Sequence, residues 1–483
     1  AEVVQCYVCM KDSLIERPVR ELKAFNKVFL EPGETKKVTV TITAGEQRPL
    51  PAGSDCFSFP CNPEGKPYLF SQNLEAAVSM LNVVYPVYCK KAWIKHYCPG
   101  REWDSLYTWD SGMIGVGLTA VSAQRAEECL RAYLVEPDDP DCAFIMHGSP
   151  VATQIFLFAE LWQKTGREEL IKQYYPSLKK YYQFYSGKKK KAPKTGLLQS
   201  WDQFYNSGGW DDYPPQKYVH EKKLEWSVTP VITTAMTILF AKIMLLFAPE
   251  EDRDLFLEDI RYFSRALEAA WDEESGYYGY VCHNKDGEKE DILRTPAGEN
   301  YNCGLDGLYP YLADAVPPER KERMLSHLRS QLMTKYGISV VDTTASYFRT
   351  DGYWNGSVWM PHQWIVTKAL LDQGQQEFAW EIAKTGLSVW KSEADETFNC
   401  YEHFMLANGR GAGFHQFSGL SAPVMKWFAS YYVPGTVTCG FQSRLEKQEW
   451  DDTKTKVSIR IKSLVPGAQL IVCLTERDKP YHM

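Results

Sequence analysis

The chain has 483 residues, 44% of them hydrophobic, and a formal net charge of −7, which is room for one large core with a smaller module beside it. Nucleic acid is excluded as an expected partner, because binding it needs Lys and Arg to neutralise phosphates and the one basic run, Lys188 to Lys191, sits beside Gly187 and Pro193 as a solvated loop would. A membrane partner is excluded too, since nothing approaches the run of about 18 apolar residues that a spanning helix requires.

Residues 1–45 alternate as strands do, in Val3 to Val8, Lys27 to Leu30 and Lys37 to Ile42, with Pro32-Gly33 as a turn between the last two. Residues Lys456 to Ile461 and Gln469 to Leu474 alternate again near the other end. Neither set is large enough to bury both of its faces. The expectation is therefore a small β-sandwich formed by the N- and C-terminal segments, residues 1–48 and 436–483, with residues 49–435 inserted between them.

The inserted region changes period. Apolar residues recur at i, i+3, i+4 and i+7 between loops rich in Gly, Pro, Asp and Asn. About twelve helices are expected, starting near residues 72, 109, 124, 149, 167, 226, 251, 302, 317, 357, 374 and 417. Ser227-Val228-Thr229-Pro230 reads as one capped start with an early proline, and Pro317-Pro318 as another. Twelve helices in succession suit six helical hairpins closed into a ring, an (α/α)6 barrel in a mainly α chain.

Thirteen cysteines, an odd number without pairing rhythm, favour a reducing compartment, so a cytoplasmic location is expected. Cys6 and Cys9 lack the second ligand pair of a zinc site, and no His, Asp and Glu grouping has metal spacing; neither metal nor cofactor is expected. There is no G-x-S-x-G elbow for a nucleophilic serine. The 15 Trp and 29 Tyr are many, and such rings cover the C–H faces of sugars while their polar edges stay wet.

Four stretches join acid or amide side chains to aromatic ones at helix boundaries. They are Tyr107 to Gly112, Ser207 to Pro214, Tyr353 to Trp359 and Asn399 to Phe404. In a helical ring, loops at one end form a funnel, and hydrolysing a glycosidic bond there needs two carboxyl groups on opposite faces of the sugar. Asp211 and Glu402 are the candidate pair, since their distance in sequence puts them on opposite walls. That suits a wide gap holding a water, and hence inversion. Asp212 rivals Asp211 as the acid, and Asp202 comes third. The candidate sugar contacts are Tyr107, Trp109, Asp110, Gln154, Trp210, Asp212, Trp354, Asn355, Trp359 and His403. His362 and His415 read equally well as packing residues.

These stretches carry a resemblance. Tyr107 to Ser111, Pro150 to Gln154, Ser207 to Asp212, Tyr353 to Trp359, and Tyr401-Glu402 with Gly409 to Gly413 follow the order of motifs in glycoside hydrolase family 63. Its relatives include mannosylglycerate hydrolases and, more distantly, trehalases. The region from about 65 to 435 resembles that family, with order and spacing in agreement across most of it. The resemblance implies Asp211 as general acid, Glu402 as general base, and inverting hydrolysis of an α-linked glucoside or mannoside. Two departures stand out: an additional Gly209 in the acid motif, and Asn355 and Ser357 where the family pattern has Arg and Pro. Losing that Arg removes a forked donor, so specificity does not transfer.

Glu2 to Gln5, Arg17 to Lys23 and Val28 to Thr35 are similar to the fibronectin type III domain of family 3 β-glucosidases, and Glu449 to Leu474 resembles earlier strands of the same module. That resemblance concerns architecture and not activity. The terminal segments read as stabilisers or as contacts of a homo-oligomer. The leading expectation is an inverting, α-glucosidase-like hydrolase acting on a small-molecule or oligosaccharide substrate. Its rivals are an inverting phosphorylase, which replaces activated water with phosphate, and a sugar-binding protein without turnover.

Overall fold

The computed structural model describes residues 59–89, 92–103, 107–134, 149–187, 192–199, 201, 209–453 and 456–469, and the strands Glu2–Val8 and Glu21–Val28. The expected strand at Lys37 to Ile42, residues Leu470 to Leu474 of the last expected strand, the Pro32-Gly33 turn, the Lys188 to Lys191 run and Asp202 lie outside the described residues. Contacts divide the chain into two units, residues 1–58 and 59–483. In the first, Glu2–Val8 pairs antiparallel with Glu21–Val28, with a register shift between Cys6 and Tyr7.

The second unit is mainly helical, of the α/α-barrel kind. Its helices are α1 (Leu69–Leu81), α2 (Thr108–Leu118), α3 (Ala123–Tyr133), α4 (Thr153–Thr165), α5 (Glu168–Ser186), α6 (Pro214–Lys222), α7 (Ile232–Phe247), α8 (Arg253–Ala266), α9 (Leu305–Leu312), α10 (Pro318–His327), α11 (Met360–Asp372), α12 (Gln376–Thr397) and α13 (Val424–Tyr432). Six of them, α2, α4, α7, α9, α11 and α13, pack each on the next, and α13 returns to α2. Composition dictates which helices go inside. Every residue of α2 is buried, and α7, ITTAMTILFAKIMLLF, is apolar almost all round. Helices such as α3 and α8 keep one apolar stripe and turn charged faces to water. The ring closes tightly because α2 carries Gly117, where a β-carbon would stand 2.7 Å from the Ala422 carbonyl carbon.

The start expected at Ser227 to Pro230 is displaced. Val228–Thr229 instead pairs with Val281–His283 as a short strand, and α7 begins only at Ile232. Pro230 lacks an N–H and follows a β-branched pair, which favours the extended form. Pro318 opens α10 as expected. The strand Val457–Ser463 falls on the one expected at Lys456 to Ile461, while helix α6 and that strand's hairpin partner, Ser443–Trp450, extend the expected set. That hairpin packs on α4 and α7. Trp162 Nε1 donates to Leu445 O at 2.8 Å, and the Arg444 guanidinium lies over Trp162 and Phe247.

Inside the ring, Glu160 of α4 binds Lys368 of α11 at 2.6 Å and Lys426 of α13 at 2.8 Å. All three are buried. No described helix is long and apolar enough to cross a membrane.

Candidate active site

Tyr107 has extended backbone, and α2 begins at Thr108 as the chain turns inward, which places Trp109 and Asp110 in its first turn. The start of α4 is tied to it. Gln154 Nε2 donates to Thr108 O at 2.6 Å, Tyr181 donates to Gln154 Oε1 at 3.3 Å, and Thr153 donates to Trp109 O at 3.0 Å. The Nε2 end of the Gln154 amide thus holds the helix start that presents Asp110, and its Oε1 end is held in turn by Tyr181 of α5. Burial pushes the Asp110 carboxyl well above the usual carboxylate range, and the charges of Glu402 and Asp211 add to the effect.

The acid motif enters across from it. Gly209 has φ +91°, and a β-carbon there would stand 3.2 Å from the Trp109 ring, so the additional glycine lets this backbone lie on that ring. Trp210 is fully buried, with ring centroids 4.7 Å from His362, 4.8 Å from Tyr213 and 5.5 Å from Trp354. Tyr213 N and Gln216 Nε2 both donate to Trp210 O, closing the turn that carries Asp211 and Asp212. Asp212 accepts the Trp354 N–H at 2.6 Å, and burial raises its carboxyl against that hydrogen bond.

The third stretch carries a donor to which the sequence alone assigns no role. Tyr353 donates its phenol to Glu402 Oε1. Asn355 Oδ1 accepts the Tyr353 N–H at 3.1 Å, a local turn that fixes the phenol's approach. Trp354 stacks on Trp359 at 3.7 Å and 13°, and Trp359 on His403 at 5.0 Å and 20°. Trp210, Trp354 and Trp359 are therefore buried against one another as a floor.

Glu402 lies on Tyr401–Met405, the middle strand of an antiparallel sheet between Ser357–Val358 and Gly411–His415. Its Oε2 accepts the Phe414 N–H at 3.3 Å. Burial raises the Glu402 carboxyl, and the Tyr353 and Phe414 hydrogen bonds oppose the rise. Burial also drives His403 down to about 4 and His362 to about 3, so both rings are neutral at pH 7. On the rim, Trp103 meets Tyr107 edge-on at 6.0 Å and the exposed Phe414 at 4.9 Å.

Asp211 and Glu402 thus both come within electrostatic reach of Asp110, and all three charges act on Tyr353. Crowded carboxyls in a low-dielectric setting titrate apart, leaving one a proton donor while another is a base. Tyr353, Trp103 and Phe414 join the candidate site through these contacts; the sequence alone singles out none of them individually, although Tyr353 stands next to Trp354 in one of the four stretches. Among the described residues, no group of three or more His, Cys, Asp or Glu side chains is placed to hold a metal ion.

Residues 241–418 match the family model described as the mannosylglycerate hydrolase MGH1-like glycoside hydrolase domain, and residues 2–47 match the fibronectin type III-like domain. The chain is 26% identical over 163 residues, 33% of its length, to a mannosylglycerate hydrolase of Thermus thermophilus, and spans 35% of that relative. A 42-residue stretch is 57% identical to a probable β-glucosidase I of Aspergillus fumigatus, spanning only 5% of it. In structure, the chain resembles the GH63 mannosylglycerate hydrolase of Thermus thermophilus in complex with Tris (TM-score 0.57, 18% identity, 74% of this chain and 99% of that one). It also resembles the neutral trehalase Nth1 of Saccharomyces cerevisiae (TM-score 0.50, 12% identity, 74% and 80%). At these identities the structural likeness establishes a shared fold.

Proposed function

We propose that the chain is an inverting glycoside hydrolase that cleaves an α-linked glucoside or a related small saccharide, with Asp211 as general acid and Glu402 as general base. The observation that carries this reading is the hydrogen bonding of Glu402, whose two oxygens accept from Tyr353 and from the Phe414 N–H. These donors stabilise the ionised form that a base must have. The charge of Asp211 reaches both Asp110 and Tyr353, the phenol that donates to Glu402, which supports Asp211 over Asp212 as the acid. The match of residues 241–418 to a glycoside hydrolase domain supports the reaction class. Asp110, Trp109 and Tyr107 would contact the sugar hydroxyls and faces.

The test is proton NMR of the first-formed product during digestion of α- and β-linked disaccharides, aryl glycosides and mannosylglycerate. Wild type is compared with Asp211→Asn and Glu402→Gln. The expected result is one linkage cut with inversion, and both variants down by at least about a thousandfold, the scale on which essential acid–base groups act. Near-normal turnover in either variant means the wrong carboxylate was chosen. Turnover that appears only with added phosphate replaces the hydrolase with a phosphorylase.

A further inference from the structure

The turn bearing Asp211 is fastened from behind by a chain of buried hydrogen bonds. Tyr213, fully buried, donates its hydroxyl to Asn302 Oδ1 at 2.8 Å. Asn302, equally buried, donates Nδ2 to Asp306 Oδ1 at 3.1 Å and to Tyr278 O at 3.2 Å, and its N–H donates to Asn300 Oδ1 at 2.9 Å. The other Asp306 oxygen accepts from Tyr280 at 3.0 Å, and the backbone of Val231 and Ile232, where α7 starts, also bonds to this carboxyl. Gly304 keeps the passage open, since a β-carbon there would stand 2.7 Å from the Tyr213 hydroxyl oxygen.

The amide of Asn302 has one workable orientation. Its NH2 faces an Asp306 carboxyl oxygen and the Tyr278 carbonyl, and the carbonyl accepts only, so the amide oxygen faces Tyr213. Turning the amide over would set its oxygen against the Tyr278 carbonyl oxygen and take the acceptor away from the buried Tyr213 hydroxyl. Tyr213 must then donate, and its ring is fixed two residues beyond Asp211. Trp210 wedges the near side of the same turn.

We propose that Asn302 is a positioning residue for Asp211, acting through the Tyr213 hydroxyl to hold the acid-bearing turn against the inner helices α7 and α9. The inference rests on Asp211 being the general acid. A displaced acid slows only those reactions whose leaving group needs a proton.

Two substrates of one sugar separate the effects: an alkyl glycoside, with a poor leaving group, and the glycosyl fluoride, which needs little protonation. In Tyr213→Phe and Asn302→Leu, kcat on the alkyl glycoside should fall about tenfold or more, with KM within about twofold. Turnover of the fluoride should stay within about threefold of wild type. The double variant should be no worse than Asn302→Leu alone, because both changes break one link. Tyr213→Phe removes a single oxygen and carries the test if Asn302→Leu does not fold. Equal slowing on both substrates, or no slowing on either, overturns the proposal. Near-normal alkyl glycoside hydrolysis by Asp211→Asn would instead overturn the reading of Asp211 as the acid, and the inference with it.

Discussion

Gly413 lies so close to Glu402 that a β-carbon at residue 413 would stand 2.9 Å from Glu402 Cβ and 3.0 Å from His403 Nδ1. Its φ of +79° also suits glycine alone among common residues. The outer strand of the small sheet can therefore cross the candidate base only where a side chain is missing. Gly413→Ala should lower kcat/KM at least about tenfold, while strain of about 1–3 kcal/mol lowers the melting temperature modestly. Kinetics and calorimetry on the same preparation check both.

Tyr353→Phe removes a donor that opposes the upward push of burial on Glu402. The Glu402 carboxyl should then titrate at higher pH. Since a general base must be ionised, the acidic limb of kcat/KM against pH should move upward, and activity at low pH should be lost first. A pH–rate profile on a small glycoside reads this directly. An unmoved limb would detach Tyr353 from the base.

Asp110 holds its proton more tightly folded than unfolded, because burial and then the charges of Glu402 and Asp211 disfavour its ionised form. Its contribution to stability is complete below the unfolded pKa of about 4 and is lost as pH rises through the folded value. Asp110→Asn should therefore melt higher than wild type at pH 8, with the gap shrinking toward pH 4. Sugar turnover should fall over the same range. Melting curves across pH, set beside activity, test both halves.

Glu160 is the opposite case. Burial favours its neutral form, but Lys368 and Lys426 outweigh burial and hold the carboxyl down to about 2. Glu160→Gln leaves two buried amines facing a neutral amide, and removing one partner of such a pair costs about 3–5 kcal/mol. Denaturant unfolding should show that loss at pH 7. Because the folded pKa is depressed, the difference should narrow as pH falls from the ordinary carboxylate range toward about 2.

Much of the helical ring was legible because its signals are local. The expected starts near 109, 124, 167, 251 and 317 fall within two residues of α2, α3, α5, α8 and α10, since each begins where an apolar period resumes after a turn. Helix α6 escaped because its lead-in, Tyr213-Pro214-Pro215, reads as loop. The strand Ser443–Trp450, SRLEKQEW, escaped because charge at nearly every second residue hides its alternation. At the site, the four stretches announced themselves by pairing aromatic with acid residues, but the partnerships are long-range. Nothing local in Tyr353 names Glu402, nor does anything in Tyr213 name Asn302. That Trp354 lies flat on Trp359 follows from the turn at Asn355, whose conformation no spacing encodes.

The ring closes where Gly117 of α2 meets Ala422, about 300 residues later in the chain. Asp110 stands on one side of that seam and Glu402 on the other. During synthesis the first inner helix must therefore wait, its return contact unmade, until the last one leaves the ribosome. A nascent chain stopped short of α13 carries its inner helices as an open row, with the α2 side of the seam still uncovered.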